Sequence, residues 1–281
     1  ASVLGATGMT LCVRFLTPDL HTAMLAFLRA LLGLAVLGPF LIGTRKGPPI
    51  QFTAWPLHVA RGICFAIALN LGFYALWQLP LATATVLMFL APVFVTVLAG
   101  PVLGERVGPR RWAAVAAGFL GAVILLRPGA GNLDWGALAA IVSSLVFALA
   151  LLIGKILAPK DGTGSIFVSS TVLIAVFTLP PALFVWEIPL RWEQWALIVA
   201  LVLTSSLRSY ADIRAYAAGE AGFLAPFSYL RLILVGIAGY WLFGEVLDGP
   251  TWLGGAIIVG ATLYIAWREA RLGKRRGAQP E

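Results

Sequence analysis

A short pattern occurs twice in this chain, half a chain apart. Gly104-Glu105 is followed by Trp112, and Gly244-Glu245 is followed by Trp252. The two glutamates are 140 residues apart in a chain of 281, and each copy lies between two long apolar runs. An internal repeat constrains the fold more than any local propensity, because each half must be one structural unit that completes its core against the other.

Composition identifies the solvent. Hydrophobic residues make up 60% of the chain and charged residues 11%, with a mean hydropathy of +0.93. A water-soluble domain carries roughly 45–50% apolar and about 25% charged residues, so this chain suits a bilayer. A span needs about 20 mainly apolar residues. Apolar runs between charged or Pro/Gly-rich breaks fall near 1–16, 20–43, 54–77, 80–103 and 109–126, then near 134–157, 164–186, 193–215, 221–243 and 249–268. The first run is read as a span rather than a signal peptide, since no basic segment or small-residue cleavage site frames it. The expected fold is all-α and polytopic, with ten transmembrane helices in two five-helix repeats, 1–130 and 131–281.

Charge orients the spans. Arg45, Lys46, Arg106, Arg110, Arg111, Lys155, Lys160 and the tail from Arg268 to Arg276 fall on one side, whereas the other collects Arg14, Arg127 and Arg191. The positive-inside rule puts both termini in the cytoplasm. Five spans per repeat is an odd number, so the second half enters the membrane upside down. Glu105 is then cytoplasmic and Glu245 external. Inverted repeats supply two related conformations, each open to one side, around a site between the halves.

Leu28-Arg29-Ala30, the stretch from Tyr74 to Pro80, Leu103-Gly104-Glu105-Arg106 and Phe243-Gly244-Glu245 with Trp252 resemble the drug/metabolite transporter superfamily and its EamA-type repeat. The resemblance covers nearly the whole chain. It implies a ten-helix carrier of a bacterial inner membrane, often an exporter of amino acids or related metabolites, with a central cavity between the halves. The superfamily also contains importers and carriers of larger solutes such as nucleotides, cofactors and sugar derivatives. Two features depart from the pattern. Leu90-Ala91-Pro92 and Leu224-Ala225-Pro226 are 134 rather than 140 residues apart, and the stretch 208–214 is unusually charged.

The candidate residues lie at the span ends and between the halves. Glu105 and Glu245 are gates, or caps for the free amides of the helix that follows each of them. Asn70, Tyr74 and Trp77 share one helical stripe, which lines a cavity or forms an interfacial aromatic belt. Arg29, Arg61 and Arg231 lie within apolar runs, where an arginine costs at least ~2.5–3.5 kcal/mol and needs a partner or water. Arg231, with Tyr229 nearby, suits a carboxylate-bearing solute or pairs internally with Asp212. Arg61 is expected to snorkel. Tyr210 and Asp212 in the eighth span are further candidates for the binding site. Pro92 and Pro226 bend their spans and free backbone carbonyls. Small residues every four positions, Ala114, Gly118 and Ala122 and also Ala256 and Gly260, mark close helix packing or a subunit contact in a monomer or homodimer.

Other functional classes have little support. The cations do not form a stripe with interleaved aromatics, so no nucleic-acid partner is expected. His21 and His58 are the only histidines. No metal-ligand cluster and no phosphate-cradling Gly-rich motif with Lys-Ser/Thr is present, so neither an enzyme nor a cofactor is expected. Cys12 and Cys64 are read as free buried thiols. A channel stays open as an alternative to a carrier of amino acids or a larger metabolite.

Overall fold

The computed structural model describes residues 2–43, 50–104, 108–126, 134–218 and 230–277; for 36–43, Thr163, 209–218 and 269–277 only the backbone is described. Secondary structure among these residues is entirely helical. The helices are α1 (Ser2–Leu16), α2 (Thr22–Gly43), α3 (Trp55–Gln78), α4 (Leu81–Met88), α5 (Ala91–Leu103) and α6 (Pro109–Leu126). They are followed by α7 (Trp135–Gly162) and α8 (Gly164–Phe184), α9 (Trp192–Ala218), α10 (Leu230–Phe243) and α11 (Gly249–Gly277).

Among the described residues six helical segments are long and apolar enough to cross a membrane: α3, α4 with α5, α6, α7, α8 and the Gly249–Arg268 part of α11. α1, α10 and the Thr22–Ala35 part of α2 are apolar but shorter. The 15 residues of α1 rise only about 22 Å against a hydrocarbon core of about 30 Å. Two expectations shift in detail. The sixth and seventh spans are not separated by a loop; helix runs from Trp135 to Phe184 and is interrupted only at Gly162, whose φ of 74° is open to glycine at little cost. The fourth span is two helices that meet at Phe89 and Leu90.

Helix contacts run between the two halves of the chain. α3 lies along the α7–α8 unit and α9 lies along α1 and α2; α6 packs on α11, α4 meets α10, α5 meets the α7–α8 unit and α10 meets α1. Several of these contacts have a counterpart when each span of the first half is exchanged with its equivalent in the second, whereas those of α3 with α2 and of α11 with α4 have none of like extent among the described residues. One continuous core includes Val13, Leu25, Leu76, Leu87, Val93, Leu201, Val235 and Ile258, drawn from both halves.

The exterior is apolar. All ten tryptophans are exposed, from Trp195 at 40% to Trp241 at 81%, and they cluster toward helix ends. That pattern inverts a water-soluble core and matches the aromatic belts of a bilayer protein. Small residues set the α6–α11 contact. A Cβ on Gly254 would stand 2.5 Å from the Gly121 carbonyl oxygen, and one on Gly121 would stand 2.8 Å from the Gly254 carbonyl oxygen. Ala114, Gly118 and Ala122 are buried as expected. On α11 the contact runs instead through Gly254, Ile258 and Ala261, while Ala256 and Gly260 face outward. The four-residue spacing marks the helix contact on α6, while on α11 the stripe lies on the outer face, where it leaves only the subunit-contact alternative.

Candidate transport site and its gates

The two Gly-Glu motifs begin with the same turn. Gly104 ends α5 at φ 69° and Gly244 ends α10 at φ 65°, both left-handed. Gly104 N–H donates to Gly100 O at 2.9 Å, and Gly244 N–H donates to Tyr240 O at 3.1 Å. Glu245 N–H adds a bond to Gly239 O at 3.0 Å, which closes the last turn of α10. Glu105 lies outside the described residues.

Glu245 does not cap the helix that follows it. Asp248 does that, accepting from Thr251 N–H at 3.1 Å. The Glu245 carboxylate reaches across the fold instead, accepting from Leu81 N–H, in the first turn of α4, at 2.7 Å and from Arg14 Nη2 at 3.3 Å. Arg14 also donates to the carbonyl oxygens of Leu76 and Trp77, at the end of α3, at 3.0 and 2.6 Å. An anion therefore sits at the positive start of one helix and a cation at the negative end of another, and the two pair. This knot ties α1, α3, α4 and the α10–α11 turn together. At the same end of the bundle, His21 N–H donates to Glu187 at 3.2 Å and Gln194 Nε2 donates to Asp19 at 3.3 Å. Sequence reasoning had placed Arg14 only as an external loop charge.

Three half-buried cations lie on the helices that pack against α1, namely Arg29 on α2, Arg208 on α9 and Arg231 on α10. Arg231 Nη2 donates to Thr10 Oγ1 at 2.9 Å. The buried Nε atoms of Arg231 and Arg29 and the buried hydroxyl of Thr7 have no hydrogen-bond partner. Arg208 of α9 is close enough to repel both Arg29 and Arg231 electrostatically. α9 can approach α1 this closely because of two glycines: a Cβ on Gly5 would lie 2.6 Å from Thr204 O, and one on Gly8 would lie 2.8 Å from Thr204 Cγ2. Asp212 and Tyr210 lie on α9, but their side chains are outside the description, as are Tyr229 and Pro226 altogether.

The Asn70–Tyr74–Trp77 stripe divides. Asn70 Nδ2 donates to Ala66 O at 2.9 Å within its own helix, and its buried Oδ1 has no partner. Tyr74 and Trp77 stack edge to face at 5.7 Å, with Gln78 donating to the Tyr74 hydroxyl at 3.3 Å. Trp77 is 42% exposed, the behaviour of a belt residue. Pro92 occupies the first turn of α5, just after the break in the fourth span. Side chains satisfy the carbonyls next to that break: Ser144 donates to Leu87 O at 3.0 Å and Thr262 donates to Phe89 O at 3.3 Å.

One polar centre has no counterpart in the sequence analysis, and one departs from it. Asp161, read as a loop residue, accepts from the N–H groups of Thr53 and Ala54 at the start of α3, from the Thr53 hydroxyl, and lies 2.9 Å from His58 Nε2. His58 Nδ1 is 2.6 Å from Ser169 Oγ. This buried network joins α3 to α7 and α8. The only sequence signal was an acid next to Gly162 at a helix junction. Arg61 does not snorkel. Its Nε donates to Ala150 O at 3.2 Å, it also donates to Ser170, and its guanidinium lies 4.6 Å from the centre of the Phe65 ring.

Comparison with known proteins agrees with this architecture. The EamA-like transporter family model matches twice, over residues 1–127 and 134–267. A riboflavin transporter of Vibrio cholerae is 31% identical over 91% of this chain and 86% of its own length. An S-adenosylmethionine uptake transporter of Rickettsia prowazekii is 31% identical over 92% of this chain and 87% of its own. The pseudopaline exporter CntI of Pseudomonas aeruginosa is 25% identical over 92% and 90%. One solved crystal structure shares the fold with a TM-score of 0.63, covering 97% of this chain and 98% of that one at 22% identity. The relatives are transporters, not enzymes, and this chain is a multi-pass membrane transporter that belongs to the EamA-like transporter family.

Proposed function

We propose that this chain is a ten-span secondary carrier for a cofactor-sized metabolite, larger than an amino acid, working by alternating access between two inverted repeats. The observation that carries the reading of cargo size is the shared identity of 30% or more with transporters of riboflavin and S-adenosylmethionine over most of both chains. The amino-acid cargo expected from sequence has no such support. The exporter among the relatives leaves direction to the prevailing gradient.

The two-repeat reading, with halves 1–130 and 131–281, is supported by the twofold family match and by the several helix contacts that have counterparts between the halves. Alternating access needs one end closed while the other opens. The Arg14–Glu245 knot and the His21–Glu187 and Asp19–Gln194 bonds give one end that closure. Loop charge puts this end outside and both termini in the cytoplasm of a bacterial inner membrane. The substrate path lies between the halves, and Arg231, Asn70 and Tyr74 are candidates to line it.

Counterflow in proteoliposomes tests the reading. Vesicles preloaded with unlabelled riboflavin or S-adenosylmethionine should accumulate the labelled compound transiently and saturably, and amino acids should not compete. Saturable counterflow of amino acids alone would overturn the assignment of cargo.

A further inference from the structure

We infer that one end of the α6–α11 pair is a docking surface for the headgroups of anionic phospholipids. Its cations are the basic run from Arg268 to Arg276 on α11 and the arginines that open α6. The inference needs only that α11 crosses the membrane, and it is independent of the cargo.

α11 does not end where its apolar stretch ends. The part that is apolar enough to span a membrane is Gly249–Arg268, yet the helix continues to Gly277. The stretch 268–276 carries five cations, Arg268, Arg271, Lys274, Arg275 and Arg276, against one acid, Glu269. At about 1.5 Å per residue it rises only about 12 Å from the end of the span. That rise covers the headgroup layer, roughly 5–8 Å deep on each side, and stays within about one Debye length of it at physiological salt. Aromatic side chains mark the same boundary. Tyr264 and Trp267 are 37% and 50% exposed, with ring centroids 6.0 Å apart, as suits residues at a membrane interface.

α6 adds charge at the same level. Gly121 lies against Gly254 and Ile258, and Gly118 lies against Ala261, so the two helices run antiparallel. Continuing that register sets Arg111 level with Arg268, and Trp112 level with Trp267. The sequence from 105 to 111 contributes Arg106, Arg110 and Arg111 against one acid, Glu105. Even if both glutamates pair internally, most of these cations are left over. The helices that pack most closely on α11 are α6, α4 and α5, and none of them contains an acid. Arginine is suited to phosphate, which its planar fork can bind through two parallel hydrogen bonds. A basic helix continuous with a transmembrane span already stands at the depth of the bilayer's own phosphates, which favours lipid over any anion that must be recruited from solution. Each basic residue at an anionic surface strengthens association about fivefold.

The test uses the full chain in phosphatidylcholine vesicles, with Cys12→Ser and Cys64→Ser and a fluorescent dye on Gly277→Cys. Energy transfer from the dye is compared for trace acyl-labelled phosphatidylglycerol and acyl-labelled phosphatidylcholine. Phosphatidylglycerol should be enriched at least about fivefold at about 0.01 M salt, and the ratio should approach one at about 1 M. Combining Arg271→Gln, Lys274→Gln, Arg275→Gln and Arg276→Gln should remove most of the enrichment. Combining Arg271→Lys, Arg275→Lys and Arg276→Lys should keep it, and so should Arg191→Gln just before α9. Equal transfer to the two lipids in the labelled parent overturns the docking surface, and this comparison decides even if the glutamine variant does not fold. Enrichment that persists in a folded glutamine variant overturns it too, because the lipid is then held elsewhere. Inorganic phosphate should displace the labelled lipid no more than chloride at equal ionic strength; stronger displacement identifies a site for free phosphate and overturns the lipid assignment. The readout involves no transport, so absent counterflow would overturn the carrier reading and leave this one standing.

Discussion

Replacing Glu245 by alanine should open the outer end of the bundle. The carboxylate makes two interactions across the fold, one with Leu81 N–H at 2.7 Å and one with Arg14 at 3.3 Å. The first is a hydrogen bond from a helix amide to a charged acceptor, worth about 1.5–3 kcal/mol. The second involves side chains 24% and 10% exposed, so screening holds it to about 1 kcal/mol or less. Arg14 keeps its bonds to Leu76 and Trp77, and part of the knot survives. The net loss is therefore about 2–3 kcal/mol, which moves the closed-to-open ratio roughly 30- to 150-fold. Cys12 reports this directly. It lies two residues before Arg14, is 8% exposed and belongs to the core between the halves. In a Cys64→Ser background, alkylation of Cys12 by N-ethylmaleimide should accelerate by the same factor, provided opening is faster than alkylation. Glu245→Gln keeps an acceptor for Leu81 but loses the charge, so it should fall between alanine and wild type. An unchanged alkylation rate in a folded Glu245→Ala protein would refute the view that this knot seals the end.

Three further perturbations test the packing. His58→Ala removes the contacts with Asp161 and Ser169 and should cost about 1–3 kcal/mol, read as a fall of several degrees in the Tm of the protein in detergent. Gly254→Val drives a side chain into the Gly121 carbonyl and should destabilise by about 1–3 kcal/mol; Ala256→Val, facing outward on the same helix, should leave Tm within a degree or so of wild type, and similar losses from both would refute the assigned interface. Ser144→Ala leaves the Leu87 carbonyl beside the helix break without its side-chain donor and should cost about 1 kcal/mol, whereas Ser144→Thr, which restores a hydroxyl, should recover most of it.

Legibility tracked the physical range of each interaction. Apolar run length and loop chemistry are local, so helix positions were read closely from Trp55 to Leu126. Composition identified a membrane protein for the same reason. The break in the fourth span was foreshadowed by Pro92, since proline restricts the residue before it and favours a helix start. The junction at Gly162 was misread because Pro159, Lys160, Asp161 and Gly162 look like a loop, while the observed helix needs only one residue with positive φ there. The Ala256–Gly260 stripe could be assigned to helix packing or to a subunit contact but not to one of them, because spacing identifies a helix face without saying which way that face is turned.

The polar pairings were the least legible, and their sequence separations explain why. Glu245 meets Leu81 across 164 residues and Arg14 across 231, and Asp161 meets His58 across 103. No local pattern encodes such partners. The repeat located Glu245 because Gly244 imposes a left-handed turn that its twin Gly104 shares. It did not reveal that the carboxylate would cap the opening turn of α4 while Asp248 served α11. Sequence reasoning also flagged Arg29 and Arg231 individually on energetic grounds, because an arginine in an apolar run must be explained. That they converge with Arg208 depends on α1 lying against α9 through Gly5 and Gly8, a contact between the first and eighth spans. A buried charge is thus visible in one dimension as an anomaly, but its role depends on which charges the fold brings beside it.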